Sequence, residues 1–295
     1  MYRILSLSGG GIRGYISALT LAEIERRSGK QISEMFDLIV GTSIGSLIGA
    51  NLLRMPAEHL PELFKYLAPS IFQRNKLGLL GLVQSIYNTD KKNNCIKELL
   101  DYQVHSNLKY GFVSYDIKNR QPVIFSNVKH TKNSCYTITN SYSIVDAVCA
   151  SSSAPLYWNP YKLDNMLLVD GALISNSPVS IGVKLAQNKD IRLDDMAIVN
   201  IGTGKLTRQY HKTNGGNIIS WVRPLIDILI DGQSELTNMC YEDEGLDYFN
   251  LDIDLLNGSD DLDNITSENF YNLELDSKRL IELHTTKIDR ICSIF

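Results

Sequence analysis

The amino-acid sequence predicts an α/β fold in which a central, largely parallel sheet is covered by helices on both faces. Short apolar runs typical of buried strands alternate with segments of helical periodicity, and strands separated by helices tend to pair in parallel. The chain has 295 residues, of which 44% are hydrophobic, and this size lies near the upper limit for one compact core. We therefore expect one domain over residues 1–295.

Two consecutive units of strand, glycine turn and helix open the chain. Residues 1–7 are predicted as a buried strand before a helix over 15–27, and residues 36–40 as a second strand before a helix over 46–53. Further helices are predicted near 60–67, 95–100, 144–150, 218–230 and 280–291, and further strands at 113–117, 123–126, 166–169, 197–201 and 248–253.

Composition and charge argue against several classes of function. The net charge is −4, and the 29 Lys and Arg residues are scattered along the chain, which disfavours a nucleic-acid polymer as partner. No apolar run reaches the roughly 18 residues that span a membrane. The apolar start of the chain breaks at Ser8, before a secretion signal can form, so we expect a cytoplasmic protein. The 5 Cys and 5 His residues lack the spacing of metal ligands, so no metal or other cofactor is expected.

The segment Gly41-Thr42-Ser43-Ile44-Gly45 fits the nucleophile-elbow pattern Gly-x-Ser-x-Gly. Glycines on both sides allow the sharp strand-to-helix turn that lifts the serine hydroxyl above the sheet. The following helix then points its N-terminal amides and the positive end of its dipole at the site. Taken alone, the pattern fits equally well a glycine turn in which Ser43 caps the helix.

A glycine-rich loop follows the first predicted strand, with the sequence Gly9-Gly10-Gly11-Ile12-Arg13-Gly14. Its glycines let backbone amides approach an anion or developing negative charge. The loop matches the dinucleotide fingerprint, but the second predicted strand lacks the acidic residue that binds ribose. No Lys-Ser or Lys-Thr pair completes a phosphate loop either. An oxyanion hole beside Ser43 is the interpretation that remains.

Several sequence blocks occur in one order along the chain, and together they resemble patatin-like phospholipases. Besides the glycine-rich loop and the elbow, Asp170 with Gly171 and Ala172 resembles the segment that carries the catalytic acid of that family. The blocks lie within residues 5–204 and comprise residues 5–14, 36–45, 150–155, 169–172 with Asn176 and Pro178, and 201–204. Residues 205–295 match loosely and are expected to complete the same patatin-like domain.

The resemblance implies a patatin-like three-layer α/β/α domain that hydrolyses acyl esters of membrane glycerolipids or phospholipids, as a phospholipase A or lysophospholipase. It implies that Ser43 is the nucleophile and Asp170 is its base, without a histidine or a cofactor. The amides of Gly10 and Gly11, together with those of Gly9 and Ile12, would form the oxyanion hole. The supporting motif positions are Arg13, Gly14, Gly41, Gly45, Gly171 and Ala172.

The resemblance also bears on partners and on the surroundings of the site. It implies peripheral contact with a membrane, and it allows a small nucleotide activator and a homo-oligomer. Ser8 stands where the family usually has an aspartate before the glycines. Arg13 begins a predicted helix, where a cation is unfavourable, so we expect it either to orient the loop, to pair with a carboxylate or to be solvated.

Two other functions stay open at this point. A catalytically silent sensor would hold a phosphate or nucleotide on the glycine loop and would have no need of Ser43 or Asp170. A Ser-His-Asp α/β-hydrolase would recruit His211 or His284. In that fold several strands precede the elbow, whereas Ser43 ends only the second predicted strand here.

Two further segments have open interpretations. Residues 71–87 are apolar with a cationic edge from Arg74 and Lys76, and such an insertion either joins the core or covers a lipid site at a membrane surface. Residues 242–263 are rich in acidic side chains but lack the spacing of an EF-hand loop. We expect a solvated face or loop there.

Overall fold

A computed structural model describes residues 1–75, 84–101, 108–128, 131–132, 135–209, 218–242 and 246–295. In these residues ten strands form one sheet. In chain order they are β1 (Tyr2–Leu7), β2 (Leu38–Thr42), β3 (Lys109–Asp116), β4 (Gln121–Ser126), β5 (Thr131–Lys132), β6 (Thr137–Thr139), β7 (Tyr161–Leu163), β8 (Met166–Asp170), β9 (Met196–Ile201) and β10 (Asp247–Leu251). The order across the sheet is β10-β9-β1-β2-β3-β4-β6-β5, with β8 paired to β3 and β7 paired to β8.

The half of the sheet from β10 to β3 is parallel throughout, which confirms the predicted α/β class. The other half is mixed, because β4 and β8 both run antiparallel to β3. β3 and β4 are joined by a short turn in which Arg120 has a φ of 57°. A turn this short allows only antiparallel pairing, since a parallel connection needs a crossover.

Helices cover both faces of the sheet and give the expected three layers. They are α1 (Gly14–Ser28), α2 (Ile32–Met35), α3 (Ile44–Leu52), α4 (Leu60–Ile71), α5 (Thr89–Leu100), α6 (Ile144–Ser151), α7 (Ala172–Ser175), α8 (Val179–Gln187), α9 (Ile218–Tyr241), α10 (Ser267–Leu283) and α11 (Thr285–Ile294). None of the described helices is both long and apolar enough to cross a membrane.

The core is divided by the sheet into two apolar clusters. Alternate residues of a strand point to opposite faces, and β1 follows this rule. Leu5 and Leu7 belong to the larger cluster with α1, α3 and α10, whereas Ile4 belongs to the smaller cluster, where Val179 and Val183 of α8 pack. The sheet is therefore buried on both faces, and its functional groups must lie at strand ends.

Candidate active site

Ser43 and Asp170 meet because two strands end head to head beside β3. β2 runs parallel to β3 and ends with Thr42 opposite Val113, and β8 runs antiparallel to β3 and ends with Asp170 opposite Ser114. β4 pairs with β3 along its other edge. The residue after Thr42 therefore lies next to Asp170. The hydroxyl of Ser43 donates a hydrogen bond of 2.6 Å to Oδ2 of Asp170.

The backbone of Ser43 has the strained geometry of a nucleophile elbow, with φ 55° and ψ −123°. The turn is so tight that a side chain at Gly41 would meet the carbonyl of Gly45. A side chain at Gly45 would meet the carbonyl of Leu7 on β1. Ser43 precedes α3 but makes no side-chain cap hydrogen bond, so the helix-cap interpretation is wrong.

The carboxylate of Asp170 is 2% exposed and accepts two hydrogen bonds. Oδ2 accepts from Ser43, and Oδ1 accepts from the amide of Ala172 at 2.8 Å. Burial raises the pKa of Asp170 from 3.8 to about 6, and the hydrogen bonds and the charge of Lys92 oppose that rise. Asp170 is thus ionised at neutral pH and more basic than an ordinary carboxylate, which suits a general base.

The turn after α6 supports both residues from behind. The hydroxyl of Ser151 accepts a hydrogen bond from the amide of Ser43 at 2.9 Å, and the carbonyl of Ser153 accepts one from the amide of Asp170 at 3.0 Å. The carbonyl of Ser151 accepts the amide of Gly171 at 3.3 Å. Residues 149–153, which we call the supporting segment, therefore fix the backbone on either side of the Ser43–Asp170 contact.

The glycine loop, residues 9–14, offers fewer amides than the sequence suggests. The amide of Gly9 donates to the carbonyl of Asn176 at 3.0 Å, and the amide of Ile12 donates to the carbonyl of Leu262 at 2.8 Å. Both amides are thus already hydrogen-bonded within the fold. The prediction that Gly9 and Ile12 contribute to the oxyanion hole is corrected accordingly. The amides of Gly10 and Gly11 have no partner among the described residues.

Two side chains hold the carbonyls of this loop. The hydroxyl of Thr203 donates to the carbonyl of Gly9 at 2.8 Å, and Nε of Arg13 donates to the carbonyl of Gly10 at 3.4 Å. In a planar trans peptide the carbonyl and the following amide point in opposite directions. Fixing these carbonyls therefore turns the amides of Gly10 and Gly11 away from Thr203 and Arg13.

Ser43 lies where two apolar clefts meet. The first cleft runs between α3, α4 and α5, with walls that include Leu47, Phe64 and Ile96. The second cleft is lined by Asp170 together with side chains of α7 and α9. The residues common to both clefts are Gly11, Ser43, Phe72 and Trp158.

Residues 5–183 match the protein-family model described as patatin-like phospholipase. The chain belongs to the patatin-like phospholipase family. It is 30% identical over 269 residues to the cGAMP-activated phospholipase of Pseudomonas aeruginosa, a match that covers 85% of this chain and 78% of that protein. It is also 30% identical over 223 residues to the cGAMP-activated phospholipase of Escherichia coli, covering 68% and 62% respectively.

The match to a relative from Homo sapiens covers a smaller share of that relative's length. The chain is 29% identical over 262 residues to calcium-independent phospholipase A2-gamma, and this match covers 78% of the chain but 33% of the human protein. The chain therefore spans about a third of that relative.

Arg13 of this patatin-like chain is buried at 2% exposure, so a solvated arginine at this position is excluded. Besides the carbonyl of Gly10 it binds the carbonyl of Gly204 at 3.1 Å, which ties the loop to the end of β9. Burial lowers the pKa of Arg13, and nearby carboxylates, of which Asp231 has the largest effect, raise it. Arg13 orients the loop and forms no direct ion pair among the described residues.

Gly14, Gly171 and Ala172 support the site through close packing and one amide. A side chain at Gly14 would approach Ile44 at 2.8 Å, and one at Gly171 would overlap the carbonyl of Val113. Ala172 contributes its amide to Asp170. Each of these positions thus holds the elbow or the acid at its place on the sheet.

Of the two histidines proposed for a triad, only His284 lies within the described residues, and its hydrogen bond is not to Ser43 or Asp170. Nε2 of His284 lies 2.9 Å from the carbonyl oxygen of Asp252, whereas the hydroxyl of Ser43 is bonded to Asp170. His211 lies outside the described residues. The described residues contain no group of His, Cys, Asp and Glu side chains suited to a metal ion.

The two segments left open by the sequence are partly described. Residues 76–83 lie outside the described part, but the ends of segment 71–87 meet beside the clefts, where Arg74 pairs with Tyr87 as a β-bridge. The acid-rich segment 242–263 contains β10, which sequence analysis predicts as a strand. Asp252 accepts the amide of Gly204 at 3.0 Å, so this acidic side chain has a structural role that a solvated loop does not explain.

Lys92 is the site residue that sequence reasoning missed. It is 1% exposed, lines the first cleft and contacts the supporting segment. Its only signal in the sequence is its position on α5, where Lys92, Ile96 and Leu100 recur every four residues and form the buried stripe.

Proposed function

We propose that this chain is a serine acyl hydrolase that cleaves ester bonds of glycerolipids, as a phospholipase A or lysophospholipase, with Ser43 and Asp170 as its catalytic dyad. The observation that carries the proposal is the 2.6 Å hydrogen bond from the Ser43 hydroxyl to a buried carboxylate at the junction of two apolar clefts. A weak hydroxyl nucleophile needs such a proton acceptor within hydrogen-bond reach.

The reaction proceeds as two acyl transfers. Oγ of Ser43 attacks the ester carbonyl carbon while its proton passes to Oδ2 of Asp170. Collapse of the tetrahedral intermediate breaks the ester bond, and the departing alcohol takes the proton from Asp170, which leaves an acyl-enzyme on Ser43. A water molecule then gives a proton to Asp170 and attacks the acyl-enzyme. The fatty acid leaves, and the proton returns to Oγ of Ser43.

The amides of Gly10 and Gly11 are proposed as the oxyanion hole. They remain without a partner among the described residues, and Gly11 lines both clefts together with Ser43. Each such donor typically lowers the barrier by roughly 3 kcal/mol, because it is aimed at charge that exists only in the transition state.

A lipid substrate suits the two clefts. Their walls are mostly aliphatic and aromatic, so acyl chains extending from the scissile ester can be buried there. The outer side of α9 is apolar too, with Leu225, Ile228 and Leu229 between 43% and 57% exposed. The neighbouring residues Ile226 and Ile230 line the second cleft. We therefore propose that this face of α9 rests on the membrane from which the substrate enters.

A small nucleotide activator is proposed from the relatives, two of which are named cGAMP-activated phospholipases. Addition of cGAMP should raise the rate of lipid hydrolysis, whereas a mixture of AMP and GMP should not. A rate that is unchanged at saturating cGAMP would contradict activation by this nucleotide. The silent-sensor alternative is less well supported, since the amides of Gly9 and Ile12 are already bonded to carbonyls and are not free to cradle a phosphate.

The test of the dyad compares four proteins on mixed phospholipid vesicles. Wild type and His284→Ala should release fatty acid, because His284 is bonded to Asp252 and not to the dyad. Ser43→Ala and Asp170→Asn should lose nearly all activity. A fluorophosphonate should label wild type at Ser43, as mapped by peptide mass spectrometry. Labelling at another serine, or a large loss in His284→Ala, would contradict the dyad.

A further inference from the structure

The ammonium group of Lys92 is bonded to the supporting segment by a set of neutral oxygen atoms. It donates to the carbonyl of Cys149 at 3.2 Å, to the carbonyl and hydroxyl of Ser152 at 3.1 and 3.2 Å, and to the hydroxyl of Ser153 at 3.2 Å. It also lies 5.2 Å from the ring centre of Trp158, within the range of a cation–π contact. These contacts immobilise a lysine that is almost fully buried.

The atoms that Lys92 holds are adjacent in the chain to those that hold the dyad. Ser151, between the residues bonded to Lys92, accepts the amide of Ser43, and the carbonyl of Ser153 accepts the amide of Asp170. A shift of this turn by a few tenths of an ångström would therefore move both reacting groups. Small displacements of this kind are costly, because catalysis depends on near-attack geometry.

Lys92 is a buried cation that forms no ion pair with a carboxylate among the described residues. Two groups would favour the charged form of Lys92 when they are ionised, the thiolate of Cys149 on α6 and the carboxylate of Asp170 at the end of β8. Burial raises the pKa of Cys149 to about 11, so this thiol is neutral at pH 7 and Asp170 is the ionised group that Lys92 faces. Burial lowers the pKa of Lys92 to about 8, so it is still mainly charged at pH 7.

We propose that Lys92 is a positioning residue that fixes the supporting segment behind Ser43 and Asp170 and, from this segment, holds a positive charge that acts on the carboxylate of Asp170. Its catalytic consequence rests on the proposed acyl hydrolase function. Without this charge, only the hydrogen bonds from Ser43 and Ala172 oppose the effect of burial, which favours the protonated form of Asp170. The protonated form cannot accept the proton of Ser43.

Two substitutions separate the charge of Lys92 from its hydrogen bonds. Lys92→Gln keeps a donor for the carbonyls but removes the charge, whereas Lys92→Met removes both. Lys91→Met is the matched control, because Lys91 is the exposed neighbour on the same helix. Melting temperatures identify any variant that fails to fold. Lys92→Met is expected to be the less stable of the pair, since it orphans buried carbonyls.

The first measurement is the titration of Asp170 itself, followed by carbon-13 NMR of the aspartate carboxyl groups and assigned with Asp170→Asn. The charge of Lys92 lowers the pKa of Asp170, so its removal raises that pKa. We expect that rise in Lys92→Gln and no change in Lys91→Met. An unchanged midpoint in folded Lys92→Gln would overturn the proposal, and this readout does not depend on any catalytic activity.

The second measurement is the rate of Ser43 labelling by a fluorophosphonate as a function of pH. In Lys92→Gln the acidic limb of the profile should move to higher pH, so that labelling slows below the limb and is less affected above it. A uniform loss of rate at every pH would overturn the electrostatic role. If wild-type Ser43 is not labelled at all, the proposed hydrolase function fails, and the NMR titration still decides the effect of Lys92 on Asp170.

Discussion

Asp170 combines near-complete burial with a pKa of about 6, so it is ionised at neutral pH inside the protein. The folded protein binds the proton of Asp170 more tightly than the unfolded chain does, because the ordinary value is 3.8. Stability therefore falls as pH rises between these two values, and the ionised carboxylate remains a cost above pH 6. For the proposed dyad, the requirements of catalysis and of stability are therefore opposed at Asp170.

Asp170→Asn should consequently be more stable than wild type at pH 7, while it loses activity. A rise from 3.8 to about 6 corresponds to roughly 3 kcal/mol, and the neutral amide avoids most of it, so we expect a gain of about 2 kcal/mol in the free energy of unfolding. Urea denaturation at pH 7 and pH 4 measures this. The gain should shrink at pH 4, where wild-type Asp170 is protonated in the fold. An equal difference at both pH values would contradict ionisation as the cause.

Thr203→Val tests the glycine loop without altering its glycines. Gly10→Ala is a poor probe, because the added carbon would overlap the side chain of Thr203. Valine keeps the shape of Thr203 but cannot donate to the carbonyl of Gly9. We expect kcat to fall about tenfold with little change in KM, since a loosened amide weakens the transition state more than the ground state.

The control for this variant is Thr20→Val, because the hydroxyl of Thr20 is equally buried but donates within α1, to the carbonyl of Ile16 at 2.9 Å. Equal kinetic losses in the two variants would argue that any buried hydroxyl matters and would remove the support for an oriented oxyanion hole.

Single residues of the site were predictable to different degrees. Ser43 and Asp170 stand in motifs whose spacing identifies them, although their contact depends on β3 pairing with both strands. Lys92 was not predictable, because a lysine in a helix usually marks the solvent side. The hydrogen bonds from the amides of Gly9 and Ile12 were equally unpredictable, since their acceptors lie more than 160 residues away in the chain.

Among the elements, most were predicted at least in part, but α8 and several short strands were missed, and α10 begins at Ser267, well before the helix predicted near 280–291. β5, β6 and β7 have two or three residues each, too few to show alternation. α8 was missed because Pro178 and Gly182 weaken its helical pattern. A side chain at Gly182 would approach Ile4 at 2.8 Å, so the glycine that obscures the helix is what lets it pack on the sheet.

α9 extends from Ile218 to Tyr241, beyond the predicted end at residue 230, and its outer face carries the proposed membrane contact. Ile228→Glu should weaken binding to phospholipid vesicles, because it places a charge where an apolar side chain of 57% exposure would enter the lipid. We expect at least a tenfold loss of vesicle hydrolysis and little change toward a soluble short-chain ester.

Leu283→Glu on α10 is the matched control, since Leu283 is also exposed, at 69%, but lines neither cleft. Co-sedimentation with phosphatidylcholine vesicles reports binding separately from catalysis. If Ile228→Glu binds vesicles as well as Leu283→Glu does, α9 is not the membrane-facing element.

At the scale of the whole molecule, the C-terminal third contributes to the site that the N-terminal motifs define. β10 pairs with β9 along five residues and closes that side of the parallel sheet. The carbonyl of Leu262 accepts the amide of Ile12, and Ile226 and Ile230 line the second cleft. The weak family resemblance beyond residue 204 gives no sign of these contacts, because each depends on long-range folding.

We propose on these grounds that residues 1–295 form one domain, and that a chain ending at residue 204 does not fold. Such a chain would leave β9, buried along its whole length, as an exposed apolar edge strand, and edges of this kind promote aggregation. It would also lose the acceptor of Ile12 and one wall of the second cleft. We expect residues 1–204 to be insoluble and unlabelled by a fluorophosphonate, and co-expressed residues 205–295 to restore some labelling. A soluble 1–204 chain that melts cooperatively and is labelled at Ser43 as fast as the full chain would show that the catalytic unit is complete without the C-terminal third.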